Sequence, residues 1–403
     1  MSMDDNGKVR HGMHDIEQAP HRFSVRGRLL LGSELTPGAV VVEDGRVVAI
    51  AREASDGNLA APILDAAIVA PGFVDLQVNG GFGVEVADDP EAIRALARRL
   101  PETGVTAFLP TLVTAPTALY PRAYDAFDRA KGAPGARPLG LHLEGPFLSP
   151  RRKGAHRADL IEAADPRLLD CLPGGDVVRL MTLAPERPGA IDRIRALRRQ
   201  GIAVSLGHSD ASFAAFERGV DAGATMATHL YNAMSPFAHR APGVAGAALV
   251  DDRVTVGLIV DGIHSHPASV ALAVRAKGAE RVVLVTDMMS AAGMGPGEYL
   301  LGGQAVTVDD VAARVADGSL AGSIVTMDQA IRNTVAWGGV TWAQALRMAT
   351  ATPAGILGLD RVGHVRVGGD ADLVLLDEGL RVRATIIAGR VVYSQLAVKL
   401  PHV

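Results

Sequence analysis

The chain has 403 residues, of which 48% are hydrophobic and 21% are charged, and its single cysteine is Cys171. So apolar a chain is not intrinsically disordered, and one cysteine excludes an intrachain disulfide and is typical of a reducing compartment. The formal net charge of −4 gives no reason to expect nucleic acid as a partner. No apolar stretch reaches the ~18 residues of a membrane span, and the first residues lack the apolar core of a secretory signal. We therefore expect a cytoplasmic protein that is not bound to a membrane.

Both ends of the chain have the pattern of β-structure. Residues 1–20 are polar, without apolar periodicity, and are predicted to be a disordered tail. From residue 21 to residue 70, short apolar runs alternate with turn signals, including a hairpin turn at Asp44-Gly45. Residues 366–403 repeat this pattern, with a turn at Gly389. Together the two ends predict one small β-sandwich domain.

The middle of the chain, residues 71–365, alternates apolar β-type runs with helical patterns. Eight such runs occur, at residues 73–77, 106–111, 138–144, 177–183, 202–208, 225–230, 254–262 and 281–287. Several are apolar nearly throughout, as parallel strands buried on both faces are. Behind Asp89-Pro90, apolar residues at 93, 96, 97 and 100 have helical spacing. The α/β pattern predicts a (β/α)₈ TIM-type barrel with its active site at the carboxyl ends of the strands; an open doubly wound sheet is the competing fold.

Five polar side chains end, or nearly end, one of these runs: Gln77, Glu144, His208, His229 and Asp287. A buried strand interior disfavours such groups, whereas the rim of a barrel is where catalytic groups collect. Glu144, His208 and His229 together offer one oxygen and two nitrogens, which suits a catalytic Zn²⁺ that keeps one position open for water. Their spacing matches no local metal motif, so the placement at strand ends carries this interpretation.

Each of these residues also has a purely structural interpretation. Glu144 or Asp287 could cap the segment that follows it, and a single histidine is more often a packing residue than a ligand. Asp287 could instead face a metal and act as a general base. The basic run 151–153 is more typical of a solvated loop than of an anion site, while Arg240 is a better candidate for binding a planar anion.

Ten segments carry a family resemblance: PGFVDLQVNG (71–80), LPTLVT (109–114), LGLHLEGPFLSPRRKGAH (139–156), TLAPE (182–186), GHSDA (207–211), ATHLYNAM (227–234), RAPGVAG (240–246), DGIH (261–264), LVTDMM (284–289) and SLAGS (319–323). In these segments the chain resembles the N-acetylglucosamine-6-phosphate deacetylases, a family of the amidohydrolase superfamily. The matches run from about residue 25 to the end of the chain in family order. The two segments HLEGP and THLYNAM are together highly specific.

The resemblance implies a barrel with a small β-sandwich built from both chain ends, and one divalent metal, zinc or iron, held by Glu144, His208 and His229. It implies that Asp287 moves the proton and that His156 stabilises the oxyanion. The phosphosugar substrate is implied to contact Ala155, His156, Asn232, Ala233, Arg240, His264, Leu320, Ala321 and Gly322. A homodimer is expected, because some family sites are completed by the partner subunit.

One departure concerns the number of metal ions. Many amidohydrolases carry His-x-His at the end of the first strand, where this chain has Gln77-Val78-Asn79. This resembles the single-metal branch and puts a second metal in doubt, and Gln77 is expected near the metal or as a ligand of it. The implied reaction is hydrolysis of N-acetyl-D-glucosamine 6-phosphate to D-glucosamine 6-phosphate and acetate. The alternatives are the galacto epimer, another N-acyl substrate, or an inactive barrel that only binds.

Overall fold

The structure is a computed structural model, and it describes residues 21–52 and 59–396. The predicted tail at residues 1–20 lies outside this range. The first strands are β1 (Arg22–Leu31), β2 (Glu34–Glu43), β3 (Arg46–Ala51) and β4 (Ile63–Pro71). The middle strands are β5 (Phe73–Val78), β6 (Gly80–Gly81), β7 (Val84–Glu85), β8 (Val105–Val113), β9 (Arg137–Pro138), β10 (Leu141–Glu144), β11 (Val178–Leu183), β12 (Ala203–Leu206), β13 (Met226–Ala227), β14 (Thr255–Leu258) and β15 (Val282–Leu284). The last strands are β16 (Gly297–Leu301), β17 (Gln304–Val308), β18 (Ala313–Val315), β19 (Leu373–Leu376), β20 (Val382–Ile387) and β21 (Arg390–Ser394).

The helices of the described residues lie mainly between the middle strands and after them. They are α1 (Ala92–Arg99), α2 (Leu119–Ala130), α3 (Ala158–Glu162), α4 (Ala190–Arg199), α5 (Phe213–Asp221), α6 (Gly243–Val250), α7 (Pro267–Lys277), α8 (Met327–Gly338), α9 (Trp342–Met348) and α10 (Ala351–Ile356). The helix expected behind Asp89-Pro90 is α1, but it begins at Ala92. The Asp89 carboxylate accepts the backbone N–H of Glu91 and holds a turn ahead of the helix. No helix within the described ranges combines the length and apolar character that crossing a bilayer requires.

Eight parallel strands form the barrel, in the order β5, β8, β10, β11, β12, β13, β14, β15. Each coincides with one of the eight apolar runs, so the barrel prediction is confirmed. The first strand meets the segment after the last one: the Asp287 N–H donates to Gln77 O at 2.9 Å and the Asn79 N–H donates to Met288 O at 3.0 Å. These bonds link the two ends of the sheet and exclude the open doubly wound alternative.

The strands of the two chain ends form one seven-stranded sheet, in the order β21, β20, β19, β4, β1, β2, β3. Both predicted hairpin turns are present, and each has two residues with positive φ, Asp44-Gly45 and Ala388-Gly389. The turns touch, since a Cβ on Gly45 would lie 2.8 Å from Ala388 O. The two edges of the sheet therefore meet around a core contributed by both chain ends, which confirms the small β-sandwich. The domain boundaries stay predictions, and residues 397–403 lie beyond the described part of the chain.

Candidate metal-dependent active site

The five polar residues predicted at strand ends come together at the carboxyl end of the barrel. Glu144 is the last residue of β10 and Gln77 lies in β5, whereas His208, His229 and Asp287 follow β12, β13 and β15 by two or three residues. All five are buried. Except for Gln77, they line a cavity of about 360 Å³. The site is therefore built from the carboxyl ends of five strands of one sheet, as barrel active sites are.

The backbone turns three of these side chains towards the cavity in a conformation that non-glycine residues seldom adopt. His208, His229 and Asp287 have φ values of +47°, +25° and +50°. Such conformations cost on the order of 1–3 kcal/mol each and persist where surrounding contacts hold them. Here the carbonyl of each residue accepts a backbone N–H, from Ser149, Asn232 and Ser323 respectively.

Three side chains of types that commonly bind metal ions converge on one point. Glu144 Oε1 lies 3.1 Å from His229 Nε2 and 3.3 Å from His208 Nε2, and the two Nε2 atoms lie 3.1 Å apart. His208 Nδ1 must carry a proton, because it donates to the Arg152 carbonyl at 2.9 Å, so its Nε2 presents a lone pair to the group. One carboxylate oxygen and two imidazole nitrogens around a shared point fit a divalent cation.

The electrostatics of this group favour a positive charge at its centre. Burial, together with the charge of His156, lowers the pKa of His208 to about 4, which keeps it a neutral ligand. Burial alone would raise the pKa of Glu144, but its interactions with His156, His208 and His229 outweigh burial and hold that pKa well below its ordinary value. Burial alone would lower the pKa of His229, but the hydrogen bond to the Glu144 carboxylate outweighs burial, so the pKa of His229 is raised. The carboxylate is thus ionised and favours a cation beside it.

His156 adjoins this group as the opposite tautomer to His208. Its Nε2 lies 3.7 Å from Glu144 Oε2, and its ligand atoms fall in one group with those of Glu144 and His208. The backbone N–H of Thr114 donates to His156 Nδ1 at 3.3 Å, so Nδ1 is unprotonated and the neutral ring carries its proton on Nε2. An Nε2–H group is a hydrogen-bond donor, which suits an electrophilic role better than metal ligation.

Asp287 also lines the cavity, and its carboxylate is held by two amides. Its Oδ1 accepts hydrogen bonds from Gln77 Nε2 at 2.9 Å and from Asn79 Nδ2 at 2.7 Å. Burial and, after it, the negative charge of Glu144 raise the pKa of Asp287 to about 6. Gln77 Nε2 also donates to Glu144 Oε1 at 3.0 Å. The nitrogen of Gln77 therefore faces both carboxylates, an arrangement that positions them and is unsuited to direct metal ligation.

Comparison with known proteins agrees with this geometry. The model of the amidohydrolase family matches residues 68–392. This chain belongs to the amidohydrolase family. It is 45% identical to the N-acetylglucosamine-6-phosphate deacetylase of Bos taurus over 346 residues, which cover 81% of this chain and 84% of the relative. It is 42% identical to the N-acetylgalactosamine-6-phosphate deacetylase of Escherichia coli O157:H7 over 332 residues, covering 81% and 88% of the two chains.

A solved structure is similar over nearly the whole length of this amidohydrolase. It is an Asp-to-Ala mutant of N-acetyl-D-glucosamine-6-phosphate deacetylase from Mycobacterium smegmatis, in complex with N-acetyl-D-glucosamine-6-phosphate. The TM-score is 0.85 and the sequence identity is 38%, with 93% of this chain and 100% of that chain covered.

Most of the residues expected to contact substrate line the cavity of this amidohydrolase, and two do not. The lining includes Ala155, Asn232, Ala233, His264, Leu320 and Gly322. His264 is fixed by the Asp261 carboxylate, which lies 2.6 Å from its Nδ1. Ala321 is fully buried outside the lining, and Arg240 is exposed outside it.

Arg151 and Arg152 also line the cavity, whereas the sequence of the basic run is more typical of a solvated loop. The Asp210 carboxylate pairs with both, at 3.2 Å from Arg151 and 2.8 Å from Arg152. Of the described residues that line the cavity, only these two are arginine or lysine. Their position between Glu144 and His156, two residues already assigned to the site, is the sequence signal that could have identified them.

Two buried groups beneath the site support it. Asp75 Oδ2 accepts the Thr286 hydroxyl at 2.5 Å, and its Oδ1 accepts the N–H groups of Thr286 and Gln77. Burial raises the pKa of Asp75 to about 7, despite the hydrogen bond from Thr286. His142 lies 2.8 Å from Thr182 Oγ1 and 3.1 Å from Leu76 O, so it anchors neighbouring strands. Asp75 thereby fixes the two segments that carry Gln77 and Asp287.

Proposed function

We propose that this chain is a hydrolase that converts N-acetyl-D-glucosamine 6-phosphate to D-glucosamine 6-phosphate and acetate, using one divalent metal ion, zinc. The observation that carries the proposal is the buried group of Glu144, His208 and His229, which lines the same cavity as Asp287. It is supported by membership of the amidohydrolase family and by relatives with this activity at 38–45% identity. Iron is the alternative metal, since both ions accept these ligands.

In this proposal Glu144, His208 and His229 hold the metal. When bound, the ion lowers the pKa of water towards neutrality and polarises a carbonyl group. Asp287 then takes a proton from the attacking water on the carboxylate oxygen that the two amides leave free. It later delivers that proton to the leaving nitrogen, so that a free amine and acetate result. His156 donates its Nε2–H to the substrate carbonyl oxygen as negative charge develops there.

The phosphosugar is proposed to lie against Asn232, Ala233, His264 and the backbone of Leu320–Gly322. Arg151 and Arg152 add positive charge to the cavity lining, which suits a phosphate. Arg240 is exposed, in the same loop as Phe237, whose exposed fraction is 60%. A homodimer in which Arg240 completes the cavity of a second copy is part of this proposal. The cytoplasmic location stays a prediction.

A second candidate substrate is N-acetylgalactosamine 6-phosphate. It is supported by the Escherichia coli relative of that name, whose 42% identity is within a few per cent of the bovine relative's. The two sugars differ only in the configuration of one hydroxyl group. The chemistry proposed for Glu144, His156 and Asp287 is the same for either.

The test is acetate release by purified protein from N-acetylglucosamine 6-phosphate, its galacto epimer and unphosphorylated N-acetylglucosamine. We expect fast turnover of the first substrate alone, in proportion to a metal content of one ion per chain. Faster turnover of the epimer would replace the substrate and keep the mechanism. No acetate release from any of the three by fully metal-loaded protein would refute the proposed activity and leave an inactive binding barrel.

A further inference from the structure

Asn79 lines the cavity and carries a buried hydrogen-bond acceptor that has no partner among the described residues. Its side chain is 1% exposed and lines the cavity beside Asp287. Its Nδ2 donates to Asp287 Oδ1 at 2.7 Å, whereas its Oδ1 is buried and accepts no hydrogen bond from the described residues. Most buried side-chain oxygens in proteins have a partner, and leaving one without a partner costs free energy. The oxygen is therefore a candidate contact for a ligand.

The orientation of this amide is fixed by chemistry. Asp287 offers only acceptors to Asn79, namely Oδ1 at 2.7 Å and the backbone carbonyl at 3.4 Å. Turning the amide over would place its oxygen against two other oxygens, so Nδ2 must face Asp287 and Oδ1 must face away from it. The same planar amide thus holds the carboxylate with its nitrogen and presents an acceptor next to it with its oxygen.

We propose that Asn79 Oδ1 accepts a hydrogen bond from the N–H of the substrate's acetamide group and, after cleavage, from the resulting amine. This inference rests on the proposed function, in which Asp287 delivers a proton to that nitrogen. A nitrogen within reach of Asp287 is also next to the Asn79 amide, which is bonded to Asp287 directly. Asn79 breaks and forms no covalent bond; it recognises the nitrogen and orients its lone pair towards Asp287.

The proposal makes Asn79 a determinant of specificity for amides over esters. The 2-O-acetyl ester of glucose 6-phosphate has the same outline as the amide substrate but carries no hydrogen on the bridging atom. With the amide, Asn79 Oδ1 is satisfied; with the ester, it faces another acceptor. Sites built to bind an N–H or O–H group discriminate strongly against analogues without it.

The test compares the variant Asn79→Leu with the wild type on both substrates. Leucine is similar in size to asparagine but has neither the donor nor the acceptor. Asp287 then loses the hydrogen bond that positions it, which slows hydrolysis of both the amide and the ester. The lost contact to N–H slows only the amide, and we expect kcat/KM to fall about three- to tenfold more for the amide than for the ester. The matched control is Gln77→Leu, which removes the other donor to Asp287 from outside the cavity lining. Gln77→Leu should lower kcat/KM by the same factor for the amide and for the ester.

A binding measurement gives an independent readout without turnover. Calorimetry measures the affinities of glucosamine 6-phosphate, which has a nitrogen, and of 2-deoxyglucose 6-phosphate, which has none. The difference between these two affinities should be smaller in Asn79→Leu than in the wild type. Asn79→Ser serves as a second variant if the leucine variant does not fold. Equal loss on amide and ester, with unchanged discrimination between the two ligands, would overturn the role of Asn79 and leave the proposed function standing. A wild type that releases no acetate would refute the function and the inference together.

Discussion

Replacing Gln77 with leucine should move the acid limit of activity to higher pH. Gln77 Nε2 donates to Asp287 Oδ1 at 2.9 Å, and this hydrogen bond stabilises the ionised form of the carboxylate. A hydrogen bond to a charged group contributes about 1.5–3 kcal/mol, and one pKa unit corresponds to about 1.36 kcal/mol. The pKa of Asp287 should therefore rise by about one to two units in Gln77→Leu.

The sign of the effect on rate follows from the proposed role. A general base works when it is deprotonated, so kcat/KM falls about tenfold per pH unit below the pKa of Asp287. Burial raises that pKa to about 6, and a bound cation lowers it, so about 6 is the upper limit for the wild type. In Gln77→Leu the fall in kcat/KM towards acidic pH should begin about one to two pH units higher than in the wild type. The variant should lose most activity at acidic pH and regain much of it in mild alkali.

The assay is kcat/KM between pH 4.5 and pH 9 for the wild type and Gln77→Leu, with metal content measured at each pH. Metal analysis is needed because Gln77 also donates to Glu144. Gln200→Leu is the matched control, since Gln200 is an exposed residue at the end of α4. Two results would show that Gln77 does not act on Asp287 in this way. One is an acid limit at the same pH in the variant and the wild type. The other is a fall in kcat/KM by the same factor at every pH, with full metal content.

Four further outcomes are expected. Asp287→Asn should keep one metal ion per chain, by elemental analysis, while kcat falls about 10²- to 10⁴-fold; retained turnover would remove Asp287 from the mechanism. His156→Ala should lower kcat about 10²- to 10³-fold with metal content unchanged, whereas loss of the metal would make His156 a ligand. Asp75→Asn should become more stable relative to the wild type as pH rises. The folded pKa of Asp75 is raised from 3.8 to about 7, so its contribution to stability is full below pH 3.8 and is lost as pH rises through 7. Urea denaturation at pH 4 and pH 8 should show a relative gain of up to about 4 kcal/mol, and an unchanged difference would contradict it. The double variant Gln77→His/Asn79→His restores His-x-His and should bind about two metal ions instead of one, and a content of one would show that these positions do not set the number.

The strands of the barrel were predictable because their signal is local. A parallel strand buried on both faces must be apolar along its length, and each of the eight apolar runs is a barrel strand. The polar residues that end these runs were predictable for the same reason, since a charge is tolerated at the rim and not in the interior. Glu144 follows this rule most directly, as the last residue of β10.

The orientation of the site residues was not predictable, because it depends on contacts between distant segments. His208, His229 and Asp287 lie beyond the regular strands, and positive φ values turn them inward. No sequence pattern marks a left-handed conformation at a histidine or an aspartate. The tautomers of His156 and His208 likewise depend on the backbone groups of Thr114 and Arg152, which come from loops of other strands.

The contact between Gln77-Val78-Asn79 and Asp287 also comes from barrel closure. The backbone bonds from Asp287 to Gln77 and from Asn79 to Met288 join the first strand to the segment after the last. The sequence shows two amides where other amidohydrolases have histidines, but not that both amides donate to a carboxylate more than 200 positions away.

The charge balance of the site explains why amides fit there. Glu144 is ionised, Asp287 must be ionised to act as a base, and His208 is neutral. One divalent cation neutralises the two carboxylates, and a second would need lone pairs where Gln77 and Asn79 present N–H donors. Gln77 and Asn79 supply donors to the carboxylates without adding charge. Amides at these two positions therefore favour a single-metal centre, and they leave one oxygen of Asp287 free to carry the proton.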